Sequence, residues 1–590
     1  MRLVTHRDIP EAQGLRDPWN ALVEQMEHPE VFYTHEWATA VHRAYHDSLE
    51  PLLFLGYVGE KLLGVAALAT NAGDAETFFL GGATADYCDF VSAPEYRLEF
   101  VNDVLGALRK MKMPRLVLAN LPAESATYPA LVSALPDCGY RLFSRPAYRC
   151  AQVTLHSAED RQAVRHSILR RKSKRRQFAA MEGIAPVKLD HLRSPAQIIP
   201  SLPDFARMHV ARCLSTGRMS NLISSERRAF LRELAELLSR ADWITLSRLA
   251  VGDVVVAWNY GFHFAGTWFW YQPTFDVGWQ QHSPGFYLLT RIVEQACSDE
   301  TVKAVDLGLG AEPYKDRLAN GFQDTRYLTA TASAGEWASE VVRYHAVTAI
   351  RKLPRAENWL RATRARGSRL IKRVRTLQMK GSADWFWKRC WRPLTAREEM
   401  QFFEWPEDRV AWRKQNSGMT LHLRGLELET LAAAAIRYSR DEETLAYLFR
   451  YAGRLRSGEG EGFALSEPDG SLVHCCWAAQ FEGFFIPELG CKLNAPAERA
   501  VLLFDCWTPA SLREHGYFRK TISQVASHLS ALGKRPWISC SSTNESIVRA
   551  VHDAGFIPKF SLSRKWGLLK TRPSTAPSIV QSRTHASSAA

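Results

Sequence analysis

A short segment in the last quarter of the chain combines residues that can bind an anion. The segment TPASLREHGYFRKTISQV, residues 508–525, joins the apolar strand pattern RAVLLFDCW to an amphipathic helix pattern. A helix N-terminus presents backbone N–H groups without intrahelical acceptors and a partial positive charge. Gly516 would let the backbone approach a phosphate closely, and Arg513 would add a charge-assisted hydrogen bond. This spacing therefore predicts a phosphate-binding corner.

Composition and charge limit the classes of protein to consider. The chain has 590 residues, 46% of them hydrophobic, so it can form several domains with buried cores. Its formal net charge of +13 favours anionic partners such as a phosphorylated cofactor, a nucleic acid or an anionic membrane surface. The eleven cysteines follow no metal-ligand spacing, so no metal is expected. Without a signal-peptide pattern or a long apolar run, the chain is expected to be cytoplasmic.

One order of elements recurs three times along the chain. Each copy has a strand hairpin, another strand, a helix and a short buried strand, then a short helix that ends in Gly-aromatic and a final strand. The hairpins span residues 52–70, 244–264 and 463–480. The glycine suits the position after a helix, where a positive φ is needed. The pattern predicts an α/β protein with three similar units, each a mixed central sheet flanked by helices.

Basic segments separate the three predicted units. Residues 165–178, RHSILRRKSKRRQF, predict a basic helix, and a longer stretch at 350–392 mixes arginine with tryptophan. A solvated helix and a linker are the favoured interpretations, and contact with acidic polysaccharide, tRNA or anionic lipid is the alternative. The predicted segments are unit one at 1–157, the basic helix with unit two at 158–335, a linker at 336–415, unit three at 416–570 and a disordered tail at 571–590.

Residues 508–560 resemble the acetyl-CoA core of the GNAT N-acetyltransferases. The family pattern Arg/Gln-x-x-Gly-x-Gly/Ala is matched by Arg513 and Gly516, and the resemblance implies that the backbone amides of His515 and Tyr517 help to bind the coenzyme pyrophosphate. In NESIVRAVHDAGF it also implies that Asn544 faces the cofactor. The sequence departs from the family in two places, with Phe518 for a small residue and Val551 for a tyrosine.

Four segments between residues 30 and 330 are similar to another group of GNAT-like proteins. The segments are FYTHEWATAVHRAY, GGATADYCDFVSAPE, SPGFYLLTRIVEQA and VDLGLGAEPYKDRLANGF. They resemble the acetyltransferases of bacterial exopolysaccharide and cellulose biosynthesis of the CelD/BcsL type, which share the doubled GNAT arrangement of the Fem-type aminoacyltransferases. The resemblance implies that the first two units form a tandem Fem-like pair.

GNAT chemistry is the attack of an amine or hydroxyl on a thioester, which needs a base and an oxyanion donor. In TADYCDF, Asp86 and Asp89 follow a predicted strand and can accept a proton or bind sugar hydroxyls. Spacing alone favours a turn cap for Asp86, whereas the resemblance adds the catalytic interpretation.

Two motifs of unit two are candidates for cofactor and substrate binding. In HSPGFYLL, Ser283 and Gly285 can offer a cap oxygen and amides to a phosphate, and an ordinary helix cap is the alternative. In GAEPYKDRL, Lys315 can bind a phosphate or an anionic substrate group, and Tyr314 can donate a proton to the leaving thiolate. Asp306 and Glu312 are reserve candidates in the same region, and a structural role is the alternative for Asp306, which lies in the predicted strand.

Unit three and the N-terminal region add further candidates. Glu488 and Asp505 are expected on strands that flank the acceptor site of unit three, where either can act as the base. His35 and Glu36 follow Thr34 at a predicted helix start, so Thr34 is the expected cap and His35 is assigned a packing role.

Together these patterns predict an acyl-CoA-dependent N- or O-acyltransferase that acts in bacterial exopolysaccharide, cellulose or envelope-glycan biosynthesis. Its donor would be acetyl-CoA or another acyl-CoA, and its acceptor a sugar, amino sugar or glycan. Peripheral contact with membrane-bound polysaccharide machinery is expected, and DNA is not. Two alternatives are a Fem-like transferase that uses aminoacyl-tRNA and a non-catalytic GNAT scaffold for a polysaccharide synthase.

Overall fold

The chain folds into two compact units. The first contains residues Met1–Arg212 and Ser220–Ala356, and the second contains Cys213–Met219 and Glu357–Ala590. The computed structural model describes residues 1–71, 76–169, 172–310, 312–351, 398–406, 421–565, 568–572 and 579–580. Most of the predicted linker and most of the predicted tail therefore lie outside the described residues. None of the helices in the described ranges combines the length and the apolar character needed to cross a membrane.

The first half of the first unit carries one copy of the repeated order. Its elements are β1 (Arg2–His6), α1 (Gln13–Glu24), α2 (His35–Tyr45), β2 (Leu49–Val58), β3 (Lys61–Asn71), β4 (Glu76–Phe79), β5 (Val91–Ser92), α3 (Arg97–Lys110), β6 (Arg115–Pro122), α4 (Thr127–Asp137) and β7 (Arg141–Thr154). As predicted, Thr34 caps α2, because its side chain accepts a hydrogen bond from the Trp37 N–H. His35 and Glu36 are buried and bonded to neighbouring residues, His35 to the Pro10 carbonyl.

The second half of the first unit carries another copy. Its elements are α5 (Ala158–Leu169), α6 (Lys172–Glu182), β8 (Val187–Leu192), α7 (Pro195–Ser215), α8 (Ser225–Leu238), β9 (Ile244–Val251), β10 (Val254–Phe264), β11 (Thr267–Phe275), α9 (Pro284–Ser298), β12 (Ala304–Asp306), β13 (Gly321–Thr331) and α10 (Ala334–Arg351). The buried core of this half packs α9 against β9–β12. Residues 336–351 of the predicted linker belong to α10, whose Trp337 indole donates to the Leu142 carbonyl of β7.

The two halves exchange their closing strands. The sheet order is β1-β2-β3-β4-β6-β13-β7-β12-β11-β10-β9-β8, with β5 paired to β3. Strand β13 of the second half lies between β6 and β7, and the end of β7 pairs with β12 through Thr154 and Ala304. The closing strand of each half therefore pairs with a strand of the other half: β13 with β6, and β7 with β12. The repeat pattern predicts these strands but not their exchange.

The described part of the predicted basic segment at 165–178 belongs to α5 and α6, and its Arg165 has a structural role together with Arg161. Arg161 of α5 donates hydrogen bonds to the carbonyls of Ala296, Asp299 and Val302 at the end of α9. Arg165 donates to the Cys297 carbonyl in the same place. A helix C-terminus has unpaired carbonyls and a partial negative charge, so these arginines stabilise the end of α9.

The second unit contains the third copy. Its elements are β14 (Glu398–Glu404), β15 (His422–Gly425), α11 (Leu428–Arg437), α12 (Glu442–Ser457), β16 (Glu461–Ser466), β17 (Leu472–Gln480), β18 (Phe484–Ile486), β19 (Cys491–Leu493), β20 (Ala500–Trp507), α13 (Tyr517–Ala531), β21 (Arg535–Ser541), α14 (Glu545–Ala554), β22 (Ile557–Lys565), β23 (Leu568–Arg572) and β24 (Ile579–Val580). The main sheet has the order β15-β16-β17-β20-β21-β14-β22-β23, and β18, β19 and β24 form a small sheet. Strand β14, which falls in the predicted linker, lies between β21 and β22. These mixed sheets flanked by helices confirm the predicted α/β class.

The strand exchange predicts that the two halves of the first unit depend on each other. A fragment of residues 1–157 lacks β13 and exposes the edges of β6 and β7, so we expect it to aggregate or to unfold without cooperativity. Co-expression with residues 158–351 should restore a folded complex, as measured by co-purification and by thermal melting against the single chain 1–351. A cooperative transition of fragment 1–157 alone at the temperature of the 1–351 chain would contradict the interdependence.

Candidate functional site

The sheet of the first unit opens between two parallel strands. β11 and β12 pair over three residues only, Thr267–Phe269 against Ala304–Asp306. β11 continues to Phe275, so the strands separate beyond Phe269. The register between β10 and β11 shifts at the same place, and Trp270 and Tyr271 together face Gly261. Such a bulge leaves backbone groups outside the regular ladder, at the mouth of the gap.

Asp86 from the first half reaches the mouth of this gap. Gly308 follows β12 with a φ of +70°. A Cβ built on Gly308 would lie 2.7 Å from Asp86 Oδ2 and 3.5 Å from the Trp270 carbonyl oxygen. The carboxylate and the bulge therefore both approach the same glycine, which leaves no space for a side chain. The strand exchange joins the strands that precede these two loops in one sheet.

The turn that carries Asp86 is fixed by the residues around it. The amides of Thr84 and Ala85 donate to the Gly81 carbonyl, each at 2.8 Å. The Asn120 side-chain amide donates to the Ala85 carbonyl at 3.1 Å, and the Cys88 N–H donates to the Asn120 carbonyl. The backbone on both sides of Asp86 is thus held, which orients its carboxylate towards Gly308.

The surroundings of Asp86 shift its protonation equilibrium. Burial, together with the negative charge of Asp306, raises the pKa of Asp86 to about 7, while Lys315 and Arg227 act in the opposite direction. A carboxyl group with this pKa exchanges its proton near neutral pH, as a general base should. This electrostatic environment favours the catalytic interpretation of Asp86 over that of a simple turn cap.

Asp306 anchors the site rather than acting as its base. It is 1% exposed, and its oxygens accept hydrogen bonds from the Tyr87 hydroxyl at 2.8 Å, the Gln152 amide at 2.8 Å and the Gly308 N–H at 2.6 Å. Burial raises the pKa of Asp306, and these donors oppose that effect. Three donors leave little accepting capacity for a substrate. The reserve candidate Asp306 therefore lies close to Asp86 in the structure.

Lys315 also lies in this region, but its ammonium group binds the protein itself. The residue is 4% exposed, and Nζ donates to the Leu309 carbonyl at 2.7 Å and pairs with Glu312 at 2.9 Å. It therefore holds the loop that follows β12 against Asp86. Tyr314 is half-buried and packs against the core around α9, and burial raises the pKa of its hydroxyl to about 12.

Sequence reasoning missed Glu30, a third carboxyl group near the gap. It precedes a turn at Val31–Tyr33 and is 6% exposed, and its Oε2 has no hydrogen-bond partner. Burial and the charges of Asp306 and Asp86 raise its pKa well above the usual value. Nothing in the local sequence, EHPEVFY, distinguishes this residue from a surface glutamate.

Arg227 was also missed, although the sequence carries a signal for it. Its Nη2 donates to the Tyr271 hydroxyl at 2.6 Å and to Gln272 at 3.2 Å, and the Tyr271 hydroxyl donates to the Thr84 carbonyl. This chain of bonds links α8, the bulge of β11 and the Asp86 turn. In SSERRAFLREL the arginine occupies an apolar-face position of an amphipathic helix, which indicates a buried, partnered charge.

The predicted helix corner of the second half lies at the start of α9. Ser283 has a φ of +55°, and its carbonyl accepts hydrogen bonds from the Phe286 and Tyr287 amides. Its hydroxyl donates to Gln177 of α6 at 3.3 Å. Since Pro284 has no N–H, Gly285 supplies the first amide of the helix. A Cβ on Gly285 would lie 3.2 Å from the Phe275 ring, so the helix packs closely against the end of β11.

The second unit repeats the gap and the bulge. β20 and β21 pair over Ala500–Leu503 and Arg535–Ile538 only, and β20 continues to Trp507. Opposite Cys476, the register shift leaves Asp505 and Cys506 together. The strand order, the gap and the bulge therefore recur in the two units.

The corner at Gly516 is open. Gly516 has a φ of +76°, and a Cβ there would meet no atom within 4 Å. The first intrahelical bond of α13 runs from the Lys520 N–H to the Gly516 carbonyl, so the amide of Tyr517 precedes it. The loop has the geometry that the phosphate-binding prediction requires at its backbone.

The Arg513 side chain contacts residues of other elements. Its guanidinium group lies 4.7 Å from the centre of the Trp507 ring and pairs with Glu443 at 3.2 Å. Both side chains of this ion pair are exposed, so the pair is weak and the arginine can rotate. His515 is exposed, with Nδ1 at 2.9 Å from the Arg513 carbonyl.

The remaining candidates of the second unit are dispersed. Asp505 forms ion pairs with Arg450 and Arg454 of α12, which occupies its carboxylate. Glu488 was expected on a strand, but it lies exposed in the turn between β18 and β19 of the small sheet. Asn544 caps α14, and its side-chain oxygen accepts from the Ile547 N–H at 3.3 Å. Among the residues that the structure describes, no group of three or more His, Cys, Asp or Glu side chains is arranged to hold a metal ion.

Three solved structures match about half of the chain at low sequence identity. A conserved protein of unknown function from Bacteroides thetaiotaomicron has 13% identity and a TM-score of 0.38, and covers 56% of this chain and 100% of its own. FemX has 9% identity and a TM-score of 0.40, and the corresponding coverages are 56% and 97%. A tandem GNAT protein from the clavulanic acid biosynthesis pathway has 12% identity, a TM-score of 0.34, and coverages of 56% and 99%.

No curated protein sequence matches the chain. Residues 169–316 match the family described as Acetyltransferase (GNAT) domain. This segment contains β8–β12, α9, the gap beside β11 and the loop held by Lys315. The chain therefore contains a GNAT acetyltransferase domain at residues 169–316.

Proposed function

We propose that the chain is an acyl-CoA-dependent N- or O-acyltransferase of the CelD/BcsL type, acting in bacterial exopolysaccharide, cellulose or envelope-glycan biosynthesis. The observation that supports this most is the position of Asp86. Its carboxylate, with a pKa of about 7, lies against Gly308 where β11 and β12 separate. This gap belongs to the segment that matches the GNAT acetyltransferase domain.

The donor would be held by backbone groups around the gap. The pantetheine arm of an acyl-CoA suits the space between the separated strands β11 and β12, where Gly308 has no side chain. The Gly285 amide at the start of α9 suits the pyrophosphate, with the Ser283 hydroxyl beside it. The acyl-CoA is a substrate here, and it supplies the reactive thioester carbonyl.

The chemistry follows from the groups at the mouth of the gap. Asp86 would take the proton from the acceptor amine or hydroxyl, and the acceptor would attack the thioester carbonyl carbon. Backbone N–H groups of the bulge at Trp270 and Tyr271 would stabilise the developing oxyanion. The CoA thiolate would leave, and Tyr314, kept protonated by its pKa of about 12, is the proposed proton donor to it.

The second unit would act as an additional GNAT domain. Its open loop at Gly516 supports coenzyme binding, with Arg513, His515 and Tyr517 around it and Asn544 at the start of α14. Asp505 is neutralised by two arginines, and Glu488 is exposed without a described partner. We therefore assign the main reaction to the first unit. The acceptor would be a sugar, an amino sugar or a glycan. The protein would act in the cytoplasm, in peripheral contact with membrane-bound polysaccharide machinery at the inner membrane.

The direct test measures thiol release from acetyl-CoA and longer acyl-CoAs with a panel of amino sugars and sugars. Acceptor-dependent release by the whole chain supports the proposal. Salt-dependent binding of tRNA with transfer of an aminoacyl group would instead favour the Fem-like alternative. Absence of both thermal stabilisation by acyl-CoAs and thiol release would favour a non-catalytic scaffold.

Replacement of Asp86 should remove general-base catalysis. We expect Asp86→Asn to lower kcat by about 10²–10⁴-fold and to leave acyl-CoA binding unchanged. The wild-type rate should rise as the pH passes through about 7, because the base is active when deprotonated, and the variant should lose this rise. Measurement of kcat for both proteins from about pH 5.5 to about pH 9 checks this. The control is Asp253→Asn, in an exposed turn; an unchanged pH profile in Asp86→Asn would contradict the assignment.

The same substitution should stabilise the protein at high pH. The folded-state pKa of about 7 exceeds the usual value of 3.8, so the folded state binds more protons than the unfolded state between these values. Its stability therefore falls as pH rises through this window. We expect Asp86→Asn to raise the free energy of unfolding by roughly 1–4 kcal/mol at alkaline pH, with a difference that vanishes at low pH. Denaturant unfolding at several pH values measures it, and a stability difference independent of pH would argue against the shifted pKa.

Substitution of Gly308 should separate loss of activity from loss of stability. In Gly308→Ala the new Cβ would lie 2.7 Å from Asp86 Oδ2, so the carboxylate must move. The matched control is Gly59→Ala, where φ is also positive, at +61°, and no atom lies within 4 Å. Both variants should lose about 1–2 kcal/mol of stability from backbone strain. Only Gly308→Ala should lose most of the activity at a temperature where both are folded, and equal activities would contradict the role of this contact.

A further inference from the structure

Two cysteines meet at the bulge of the second unit. The Sγ atoms of Cys476 and Cys506 are 3.5 Å apart. Cys476 lies on β17 and is fully buried, and Cys506 lies on β20 and is half-buried. Both are free thiols, and their side chains are in direct contact.

The backbone geometry suits a covalent bond between them. Cys476 faces the bulge of Asp505 and Cys506 across an antiparallel strand pair. Facing residues of such a pair have Cα atoms about 4.5–5.5 Å apart, within the range of about 4.4–6.8 Å found in disulfides. Since the sulfur atoms already touch, closure needs side-chain rotation and a small shift of the bulge. A bulge is the part of a sheet that can make such a shift without breaking the ladder around it.

We propose that Cys476 and Cys506 are a redox-modification site that forms a reversible disulfide in the presence of hydrogen peroxide. The exposed part of Cys506 reacts first: its sulfur attacks one peroxide oxygen, which gives a sulfenic acid and releases one water. Cys476 then attacks the sulfenic sulfur, the S–S bond forms, and the hydroxyl leaves with the Cys476 proton as a second water. Two thiols are oxidised and one peroxide is reduced, and a small thiol restores both cysteines by exchange.

The contact also orders the two steps. The neighbouring Cys506 and burial raise the pKa of Cys476 well above the usual value, so Cys476 stays a protonated thiol until its neighbour has reacted. The resulting bond would join β17 to β20 beside Asp505, whose carboxylate pairs with Arg450 and Arg454. It would thereby fix the bulge at the gap of the second unit. This inference concerns thiol chemistry and does not depend on the proposed acyl transfer.

The test is a cysteine map of the whole chain after peroxide treatment. Cys475 and Cys476 are adjacent and fall in one peptide, so the map is made in wild type and in the matched variant Cys475→Ser. The protein is treated with hydrogen peroxide, quenched with catalase, alkylated with N-ethylmaleimide after denaturation and digested without reductant. Mass spectrometry should find a peptide pair joined through residues 476 and 506 in both proteins, and dithiothreitol should remove it.

The variants Cys476→Ser and Cys506→Ser should lose this peptide pair, because each retains a single cysteine at the site. A sulfinic acid at Cys506 with an intact Cys476 thiol would overturn the proposal, as would both thiols remaining free after other cysteines have oxidised. Since the maps of the wild type and of Cys475→Ser decide between these outcomes, a Cys476→Ser or Cys506→Ser variant that fails to fold does not weaken the test. Circular dichroism of each variant identifies such a failure.

Discussion

The arrangement of the candidate site depends on the exchange of two closing strands. β13 completes the sheet beside β6, and β7 reaches β12, so one continuous hydrogen-bonded sheet runs through both halves of the first unit. Because of this exchange, the turn that carries Asp86 and the loop that carries Gly308 are fixed in one frame. A contact as close as that between Gly308 and the Asp86 carboxylate requires a relative position accurate to fractions of an ångström. Two separately folded domains joined by a flexible linker would not provide it.

Within that frame the site is controlled by the burial of negative charge. Asp306, Asp86 and Glu30 lie near each other, and burial is the largest cause of the raised pKa of each. The three differ in their partners. Asp306 is satisfied by three donors, Glu30 has an oxygen without a partner, and Asp86 has a pKa of about 7. Different hydrogen bonding of neighbouring carboxyl groups is a physical route to distinct roles at one pH.

The order of strands and helices could be predicted because it follows from the local periodicity of apolar residues. The three hairpins, the long helix of each copy and the cap at Thr34 all follow from residues close in sequence. The partners of Asp86 could not be found in this way, since Gly308 lies more than two hundred residues away and reaches it only through strand exchange. The bulges at Trp270 and Asp505 have no residue signature, because register shifts depend on both strands of a pair.

Single side chains were harder to predict than backbones. The open backbone at Gly516 agrees with the expected corner, whereas Arg513 turns to the face of Trp507 and to Glu443, both supplied by other elements. Lys315 was expected to bind a ligand, and it holds the neighbouring loop through the Leu309 carbonyl. A sequence pattern shows that a cation is present at a corner, but competing acceptors decide where it points.

The position of β14 has a practical consequence for dissecting this chain. This strand precedes the third copy of the repeat, yet it lies in the interior of that copy's sheet, with β21 on one side and β22 on the other. A truncation that begins at residue 416, where the repeat pattern places the boundary, would remove an inner strand and leave two unsatisfied edges. The smallest excisable module of the second unit therefore starts before residue 398, and the segment between the two units is partly a structural component rather than a spacer.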